Sequence, residues 1–572
     1  GIRGFALTDT AGNPVTLTVG QNPAGTTYSG ALSGSGSLVK TGAGTLTLTG
    51  ANTHSGGTTI HAGGTLAAGH AQALGTGPVI NNGTLNLTLT PAIYSGLSTS
   101  LSGAGTNNVS LITGNTGNLT TLNGDYSGFT GVWNLGVNAG AGASRVQMNG
   151  RDNPAAAIIV RTNATLYVSS SVYPHSASIS LQGGNTGEAN GQLRLDNSAR
   201  WEGPLQLTAP ITDGNDGFFG CASGSGYVAG KISDGGGAYA FNKVGGGTLH
   251  LMNAENDFGG AVWVRAGWLR AYSMRMLGES SALGAPTSVA NGTIKLGNGT
   301  TTAGLAYIGN GDTTDRRIDL ASTTATCYLE HLGSNLWKIT GDVISSGAGN
   351  KRLQLQGSSL FGTGELAGVI SEYSASHTNN ILKTGTGTWT LSGDNTFKGN
   401  VVVENGILRI THNRALGIGP KNAQAAYNAN NANPHIHLDG SASNLTIPAD
   451  ITFRTSNQRA GALFNDAGTN TILGMVHMTS GDGDTAIVSS AGKLTLSGNV
   501  YPPTDTSRRL RLWGDGDGEI AGVIANGATS DLPLFKEKGK GTWALTGANT
   551  YSGATTVNDG ILILGGADGR IA

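Results

Sequence analysis

Three acidic, glycine-rich turns carry the side-chain chemistry that binds a hard cation. Carboxylate oxygens on a tight loop are ligands that Ca²⁺ prefers. The six aspartates of these turns are Asp213, Asp216, Asp482, Asp484, Asp515 and Asp517. No turn has a twelve-residue loop with a closing Glu, and Asp and Gly also favour ordinary turns. The sequence therefore favours structural turns, with bound calcium as the alternative, and it predicts no requirement for a metal or a cofactor.

A second constellation is a histidine pair. His435 and His437 lie two residues apart, on one face of a predicted strand, and Asp439 follows them. That spacing suits a metal ligand pair or a catalytic dyad. However, no third partner is identifiable, and the sequence has neither a G-x-S-x-G elbow nor another glycine-framed serine. We predict a polar strand face and no enzymatic activity.

Tryptophans and cysteines complete the chemically interesting residues. Trp263 and Trp268 lie close to Arg265 and Arg270, and Trp263 is the better candidate for a glycan contact. Simple packing on the surface is the alternative for both tryptophans. Two cysteines, Cys221 and Cys327, fit neither a metal spacing nor a disulfide framework. We predict isolated buried thiols, with a disulfide between nearby layers as the alternative.

The composition limits the kind of protein that can position these residues. Gly supplies 95 of 572 residues, well above the usual share of roughly 7%. Charged residues make up 12%, 38% are hydrophobic and the net charge is −1, so the chain can form a packed interior. The near-zero net charge does not favour binding to nucleic acid, and no apolar run is long enough to span a membrane. Asn and Thr can instead form hydrogen-bonded ladders between identical stacked layers.

An internal repeat is the strongest signal in the sequence. Its core is K-x-G-x-G-T-[LW]-x-L, followed by a loop with N-x-[FYH] and then by G-x-L. Each copy is preceded by G-x-[IL], and the first three copies are followed by A-L-G. In the fourth copy we align Glu537 with Lys40, Lys243 and Lys383. The copies, each predicted to form a pair of layers, occupy residues 38–66, 241–269, 381–408 and 535–562.

These four stretches resemble the passenger-associated transport repeat, also called the autotransporter-associated β-strand repeat. The resemblance implies a right-handed parallel β-helix outside the cell, on the bacterial surface. It implies no particular partner or activity, because the motif describes the coil rather than a site.

The alternation of residues independently predicts short strands that are buried on one face. The predicted core positions are Leu46, Leu48, Leu249, Leu251, Trp389, Leu391, Trp543 and Leu545. We expect an all-β, elongated right-handed parallel β-helix with loop excursions, in which residues 1–572 form one continuous segment of a longer protein. At roughly 20–25 residues per coil it would hold about 25 coils. Loops or short helices are expected at Tyr272–Ala282 and Asn422–Ala432.

The leading function is structural: a stalk, fibre or adhesin scaffold that supports adhesion or cell–cell association. One alternative is a glycan-binding adhesin, which predicts a line of exposed aromatic residues along one face. Another is a polysaccharide-acting β-helix enzyme, which predicts clustered carboxylates in a groove. The expected partners are other copies or further repeats of the same polypeptide and surface glycans, with no nucleic acid and no membrane insertion by this segment.

Overall fold

The structure is a computed structural model of the chain. It describes residues 3–89, 97, 99–111, 120–137, 144–169, 172–186, 189–212, 217–426, 433–455, 458–479, 483–502 and 508–565. The chain divides into two compact units. The first unit contains Gly1–Ser273 and Gly278–Gly292, and the second contains Met274–Leu277 and Thr293–Ala572.

Short strands and one helical turn make up the regular structure of the first unit. Its elements are β1 (Phe5–Ala6), β2 (Thr16–Val19), β3 (Thr26–Tyr28), β4 (Leu32–Ser33), β5 (Ser37–Lys40), β6 (Thr45–Leu48), β7 (Thr58–Ile60), β8 (Thr65–Ala68), β9 (Val79–Asn81), β10 (Thr84–Leu89), β11 (Leu101–Gly103), β12 (Thr106–Leu111), β13 (Thr120–Leu122), β14 (Gly128–Phe129), β15 (Val132–Val137), β16 (Ser144–Met148), β17 (Ala157–Val160), β18 (Ala164–Val168), β19 (Ser178–Leu181), β20 (Leu193–Leu195), β21 (Ala199–Trp201), β22 (Leu205–Leu207), β23 (Phe219–Gly220), β24 (Ser225–Val228), β25 (Ile232–Ser233), β26 (Phe241–Val244), β27 (Thr248–Leu251), β28 (Val262–Val264), β29 (Gly267–Ala271) and α1 (Val289–Gly292).

The second unit is built from strands of the same kind. They are β30 (Ile294–Gly299), β31 (Ala303–Tyr307), β32 (Asp312–Thr314), β33 (Ile318–Ser322), β34 (Thr326–His331), β35 (Leu336–Ile339), β36 (Val343–Ile344), β37 (Lys351–Gly357), β38 (Thr363–Leu366), β39 (Asn379–Lys383), β40 (Thr388–Leu391), β41 (Val401–Val403), β42 (Gly406–Ile410), β43 (Lys421–Ala425), β44 (Pro434–Asp439), β45 (Thr446–Ile447), β46 (Ile451–Thr455), β47 (Gln458–Ala467), β48 (Thr469–Ile472), β49 (Val476–Met478), β50 (Gly483–Ser489), β51 (Lys493–Leu496), β52 (Val500–Tyr501), β53 (Arg508–Trp513), β54 (Asp517–Ile520), β55 (Leu534–Lys536), β56 (Thr542–Leu545), β57 (Thr555–Val557) and β58 (Ile561–Leu564).

Both units are parallel β-solenoids, and the residues that the structure describes form about 21 turns. Each strand pairs in parallel with a strand of the next turn, as β6 does with β8 and β40 with β42. The predicted parallel β-helix is therefore confirmed. The number of turns is lower than the predicted 25, because many turns are longer than the repeats suggest; Asn81 and Asn107, for example, contact each other across 26 residues.

The interior forms because alternate residues of each strand point to the same side. In β6, Leu46 and Leu48 are buried while Thr45 and Thr47 are partly exposed. The same alternation recurs in strands of both units, so the cores consist mainly of stacked leucine, isoleucine and valine side chains. Leucines of neighbouring turns lie in register, as Leu46 and Leu66 do.

Each repeat folds as two successive turns, as the sequence predicts. In the first repeat β5 pairs with β7 and β6 with β8, and the other three repeats have the same four strands and pairings.

Residues 272–282 are a loop, as expected. In the other predicted excursion, residues 422–425 belong instead to strand β43, and residues 427–432 lie outside the described residues. In the part of the chain that the structure describes, no helix has the length and apolarity needed to cross a membrane.

Candidate functional site

A buried asparagine joins three successive turns in each of the first three repeats. In the second repeat the N–H of Ile232 donates to Asn256 Oδ1 at 2.8 Å, and Asn256 Nδ2 donates to the carbonyl of Ala282 at 3.0 Å. These partners lie 24 residues before and 26 residues after the asparagine. Because its side chain carries both a donor and an acceptor, one residue satisfies buried backbone groups of the turns on either side.

The same bridge occurs in the first and third repeats, and the fourth repeat has its first half. Asn52 connects Leu32 to Ala73, and Asn395 connects Ile370 to Ala415, with distances of 2.6–2.8 Å. In the fourth repeat the N–H of Ile524 donates to Asn549 at 2.9 Å. The bonding partner in the preceding turn is always the last residue of G-x-[IL]. The bonding partner in the following turn, in the first three repeats, is the alanine of A-L-G. The two flanking motifs of the sequence are therefore the partners of the asparagine.

A buried lysine closes the glycine turn of every repeat. Lys243 Nζ donates to the carbonyl oxygens of Gly245 (2.5 Å), Gly247 (2.6 Å) and Ala266 (2.7 Å). Burial lowers the pKa of Lys243 to about 7, and it lowers that of Lys383 to about 7 as well. The four lysines, each at most 1% exposed, are Lys40, Lys243, Lys383 and Lys536.

The alignment of Glu537 with these lysines is wrong. Lys536 is the buried lysine of the fourth repeat, and its Nζ donates to the carbonyls of Gly539 (2.7 Å) and Asp559 (3.1 Å). The turn after Lys536 contains one more residue than in the other copies, and Lys538 adopts a positive φ of 55° to accommodate it. Glu537 instead contacts Arg511 on the outside of the turn.

The two tryptophans of the motif fill space left by a glycine in the preceding turn. Trp389 lies in register with Gly364, and a Cβ on that glycine would meet the indole ring at 2.6 Å. Trp543 and Gly518 have the same relation, with an approach of 2.3 Å. Trp389 Nε1 also donates to the carbonyl of Gln356 at 2.7 Å. The eight side chains predicted as core are all buried, namely Leu46, Leu48, Leu249, Leu251, Trp389, Leu391, Trp543 and Leu545.

The outer surface of the second repeat differs from this uniform interior. Strands β21, β24, β27 and β29 place Arg200, Tyr227, His250 and Arg270 side by side in one outward column. The rings of Tyr227 and His250 stack with centroids 4.3 Å apart. Tyr272 lies 6.2 Å from the His250 ring on the other side. The result is a continuous row of aromatic rings between two guanidinium groups.

Trp268 stands next to this column, in register with Thr248. We call the outward group the aromatic face; it consists of Arg200, Tyr227, His250, Trp268, Arg270 and Tyr272. Burial, followed by the nearby charge of Arg270, lowers the pKa of His250 to about 4. His250 is therefore uncharged at neutral pH. Arg200 pairs with Glu202 at 2.7 Å, whereas within the described residues Arg270 forms no ion pair.

The comparisons with known proteins agree with the repeated architecture. The model of the family described as passenger-associated-transport-repeat matches residues 38–68, 241–271, 381–410 and 538–564. Each match contains the buried asparagine, and the first three also contain the buried lysine, whereas Lys536 lies just before the fourth match. The chain carries four passenger-associated transport repeats.

A relative is the adhesin BmaC autotransporter of Brucella suis biovar 1 (strain 1330). It is 27% identical over 508 residues, which cover 86% of this chain and 13% of that protein. The chain thus spans only a small part of the length of this autotransporter adhesin. No solved structure matches the chain.

Trp263 and Trp268 of the second passenger-associated transport repeat have different strand neighbours. Trp263 lies on β28, in register with Asn242, and the guanidinium of Arg265 covers its ring at 3.8 Å. Trp268 lies on β29, in a different sheet. Of the two predicted glycan contacts, Trp268 joins the aromatic face and Trp263 packs against Arg265.

Three of the calcium candidates, Asp213, Asp216 and Asp482, lie outside the described residues. Asp484 is buried and bound by two arginines, with Oδ1 2.9 Å from Arg509 and Oδ2 2.7 Å from Arg511. Its oxygens therefore already have cationic partners from the neighbouring strand.

The remaining two aspartates support turns. Asp515 accepts the N–H of Lys540 at 2.9 Å and Asp517 accepts that of Thr542 at 3.0 Å, both across 25 residues. In the part of the chain described, no group of three or more His, Cys, Asp or Glu side chains is arranged to hold a metal ion. Asp515 and Asp517 thus each bind a backbone N–H group of the following turn.

The histidine pair is part of a polar strand face. His437 Nδ1 lies 2.9 Å from both carboxylate oxygens of Asp466, and its ring stacks on Phe464 at 4.4 Å. His435 Nδ1 donates to the carbonyl of Gly461 at 2.7 Å. The sequence does not reveal Asp466 as the partner, since it lies 29 residues away in the next turn. Asp439 instead accepts the N–H of Ser441 at 3.1 Å.

Both cysteines are buried free thiols. Burial raises the pKa of Cys221 to about 11, with the charge of Asp196 adding to the effect, and burial also raises the pKa of Cys327. The Cys327 thiol contacts the carbonyl of Leu296 at 3.4 Å. Protonated thiols of this kind are poor nucleophiles.

Proposed function

We propose that the chain is an extracellular, non-catalytic scaffold segment of an adhesin displayed on the bacterial surface. The observation that carries this proposal is the asparagine bridge, which recurs while the outer residues change from repeat to repeat. A structure that fixes its interior and varies its surface suits a protein that holds contact surfaces in place. The similarity to an autotransporter adhesin supports the same role.

The mechanism would be mechanical. Every turn is bonded to its neighbours through parallel backbone hydrogen bonds, and stability in such repeats comes mainly from nearest-neighbour contacts. An asparagine that binds the turn before and the turn after adds a link that spans three turns. Local opening of one turn would therefore require these side-chain bonds to break as well.

Copies of the same polypeptide are the proposed protein partners. An uncharged outward column in register runs over the first repeat and the two turns after it, and consists of Thr45, Thr65, Thr84 and Thr106. Such a flat polar column does not repel an identical one. Lateral association between copies would support cell–cell contact.

The location can be tested on intact cells that produce the protein. Antibodies against residues 38–68 and 381–410 should label unpermeabilised cells, and added protease should remove the signal. A periplasmic protein serves as the control that stays unlabelled until permeabilisation. Labelling that appears only after permeabilisation would contradict an extracellular scaffold.

The adhesive role needs a separate test in the same cells. An in-frame deletion of whole turns from this segment should reduce attachment to surfaces or to other cells while the remaining protein still reaches the surface. Unchanged attachment at equal surface display would contradict the role proposed for this segment.

A further inference from the structure

The aromatic face is peculiar to one repeat, although all four repeats share the scaffold beneath it. The position of His250 is occupied by Thr47, Thr390 and Ala544 in the other copies, as the strand registers show. The position of Tyr227 is taken by Thr27, Glu365 and Glu519. Because the fold forms with threonine, alanine or glutamate at these places, the rings of the second repeat are not needed for the coil.

The following turn shows the same contrast. Trp268 corresponds to Thr65, Ile407 and Ile561, and Arg270 corresponds to Ala67, Arg409 and Ile563. Among the four repeats, only the second, together with the turn before it, carries aromatic residues and arginine at these positions of three adjacent turns. The positions on neighbouring turns are separated by about 4.8 Å, the spacing of paired strands.

The aromatic face combines aromatic rings with arginine side chains at its two ends. Tyr227, Trp268 and Tyr272 are partly exposed on the outside of the coil. His250 is buried between the two tyrosines as an uncharged ring, and neither of its nitrogens has a hydrogen-bond partner in the described structure. The charge of Arg200 is balanced by Glu202, which leaves Arg270 as the uncompensated cation.

We infer that the aromatic face binds an acidic polysaccharide, with sugar rings on Tyr227, Trp268 and Tyr272 and a carboxylate on Arg270. This assignment deepens the proposed function, since an adhesin scaffold needs a contact surface. The ligand class is a chain of uronic acids, which carries a carboxylate on each sugar ring.

Each element of the face has a counterpart in such a ligand. The C–H groups on a pyranose ring pack against the negative face of an aromatic side chain. A guanidinium binds a carboxylate through two parallel hydrogen bonds, a geometry that lysine cannot provide. A polymer that runs along the coils can use several rings at once. A neutral glycan would leave Arg270 unused, and an acidic peptide would leave the rings without a flat partner.

Binding of alginate oligosaccharides to the purified chain, measured by titration calorimetry, tests the inference. Dextran oligosaccharides, poly-glutamate and a single-stranded oligothymidylate serve as probes for a neutral glycan, an acidic peptide and a nucleic acid. We expect alginate to bind at low salt and more weakly at high salt, with at least tenfold weaker binding of the other three. Equal binding of poly-glutamate or oligothymidylate would overturn the assignment.

Two variants replace residues of the face with those of the first repeat. Trp268→Thr and Arg270→Ala should each weaken alginate binding by about tenfold or more, while Arg270→Lys should cause an intermediate loss. The matched controls are Ile407→Thr and Arg409→Ala, which alter the same two positions of the third repeat and should leave binding unchanged.

Unchanged binding in both face variants, or equal losses in the controls, would contradict the site. Circular dichroism of each variant separates loss of binding from loss of folding, and Arg270→Lys retains the charge if Arg270→Ala does not fold. Because these measurements use the purified chain, a failure here is distinguishable from a failure of surface labelling on cells.

Discussion

The first and second repeats have the same buried residues at key positions but different residues at their outward positions. Both contain a buried lysine that closes the glycine turn and an asparagine that bridges three turns. At outward strand positions the first repeat carries threonines such as Thr47 and Thr65, whereas the second carries the buried ring of His250 and the partly exposed Trp268. The comparison shows that the motif specifies how turns are fastened together, and that the outward positions are free to acquire a binding role.

Of the changes that test this comparison, removal of the asparagine bridge should cause the largest loss of stability. Asn256→Leu leaves the N–H of Ile232 and the carbonyl of Ala282 buried without a partner. Each unsatisfied group costs about 1–3 kcal/mol, so we expect a loss of about 3 kcal/mol in the free energy of unfolding. Urea unfolding measures it, with Glu255→Ala in the same exposed loop as a control that changes little. A loss as small as that of the control would contradict the bridging role.

The tryptophan positions of the third and fourth repeats provide the next test. Gly364→Ala places a methyl group against the ring of Trp389, and overpacking of this kind costs typically about 1–3 kcal/mol. Trp389→Leu introduces the smaller leucine that the first repeat has at this position. In that background Gly364→Ala should cost less stability than it does in the wild type, because the leucine leaves room for the added methyl group. Thermal unfolding of the four proteins measures the coupling. Additive effects would show that the two residues do not share the space.

The buried lysines should make stability depend on pH. The folded-state pKa of Lys243 is about 7, below the ordinary value of 10.5, so between these pH values the unfolded chain binds more protons than the folded one. Stability therefore rises as the pH increases from about 7 towards 10, by at most about 1.4 kcal/mol per unit for each such lysine.

Lys243→Met isolates this contribution. The variant should show a smaller rise in stability between pH 7 and pH 9 than the wild type, as measured by urea unfolding at each pH. Identical slopes for the two proteins would contradict a lowered pKa at Lys243.

The smallest effect is expected on the outer surface. Tyr227→Thr introduces the residue that the first repeat carries as Thr27, at a partly exposed position. Surface changes of this kind usually alter stability by less than about 0.5 kcal/mol. A much larger loss in urea unfolding would mean that the aromatic face stabilises the coil rather than serving as a contact surface.

The strands and the turn pairs are predictable from sequence because they depend on local alternation and on repetition. Leu46 and Leu48 follow from the period of two, and the repeat spacing gives the paired turns. The partners of Asn52 and Asn256 belong to the flanking motifs that the sequence shows. Their bonds to the asparagine could not be predicted, because they form only when residues about twenty or more positions apart become neighbours in the fold.

Other features depend on register, which one inserted residue can change. The extra residue after Lys536 shifts the alignment by one position, so that Glu537 appears to replace the lysine. The aromatic face likewise emerges only when β24, β27 and β29 are placed side by side. A comparison of Trp268 and Arg270 with Thr65 and Ala67 of the first repeat is the sequence signal that could have found it.

In each of the first three repeats, one buried asparagine joins the turn before it to the turn after it. Hydrogen exchange of the Asn395→Leu variant, measured by mass spectrometry against the wild type, tests this bridge. We expect faster exchange in peptides that cover residues 368–371 and 414–418, with unchanged exchange at residues 336–339. Unchanged protection at Ile370, or a uniform increase over the whole chain, would contradict it.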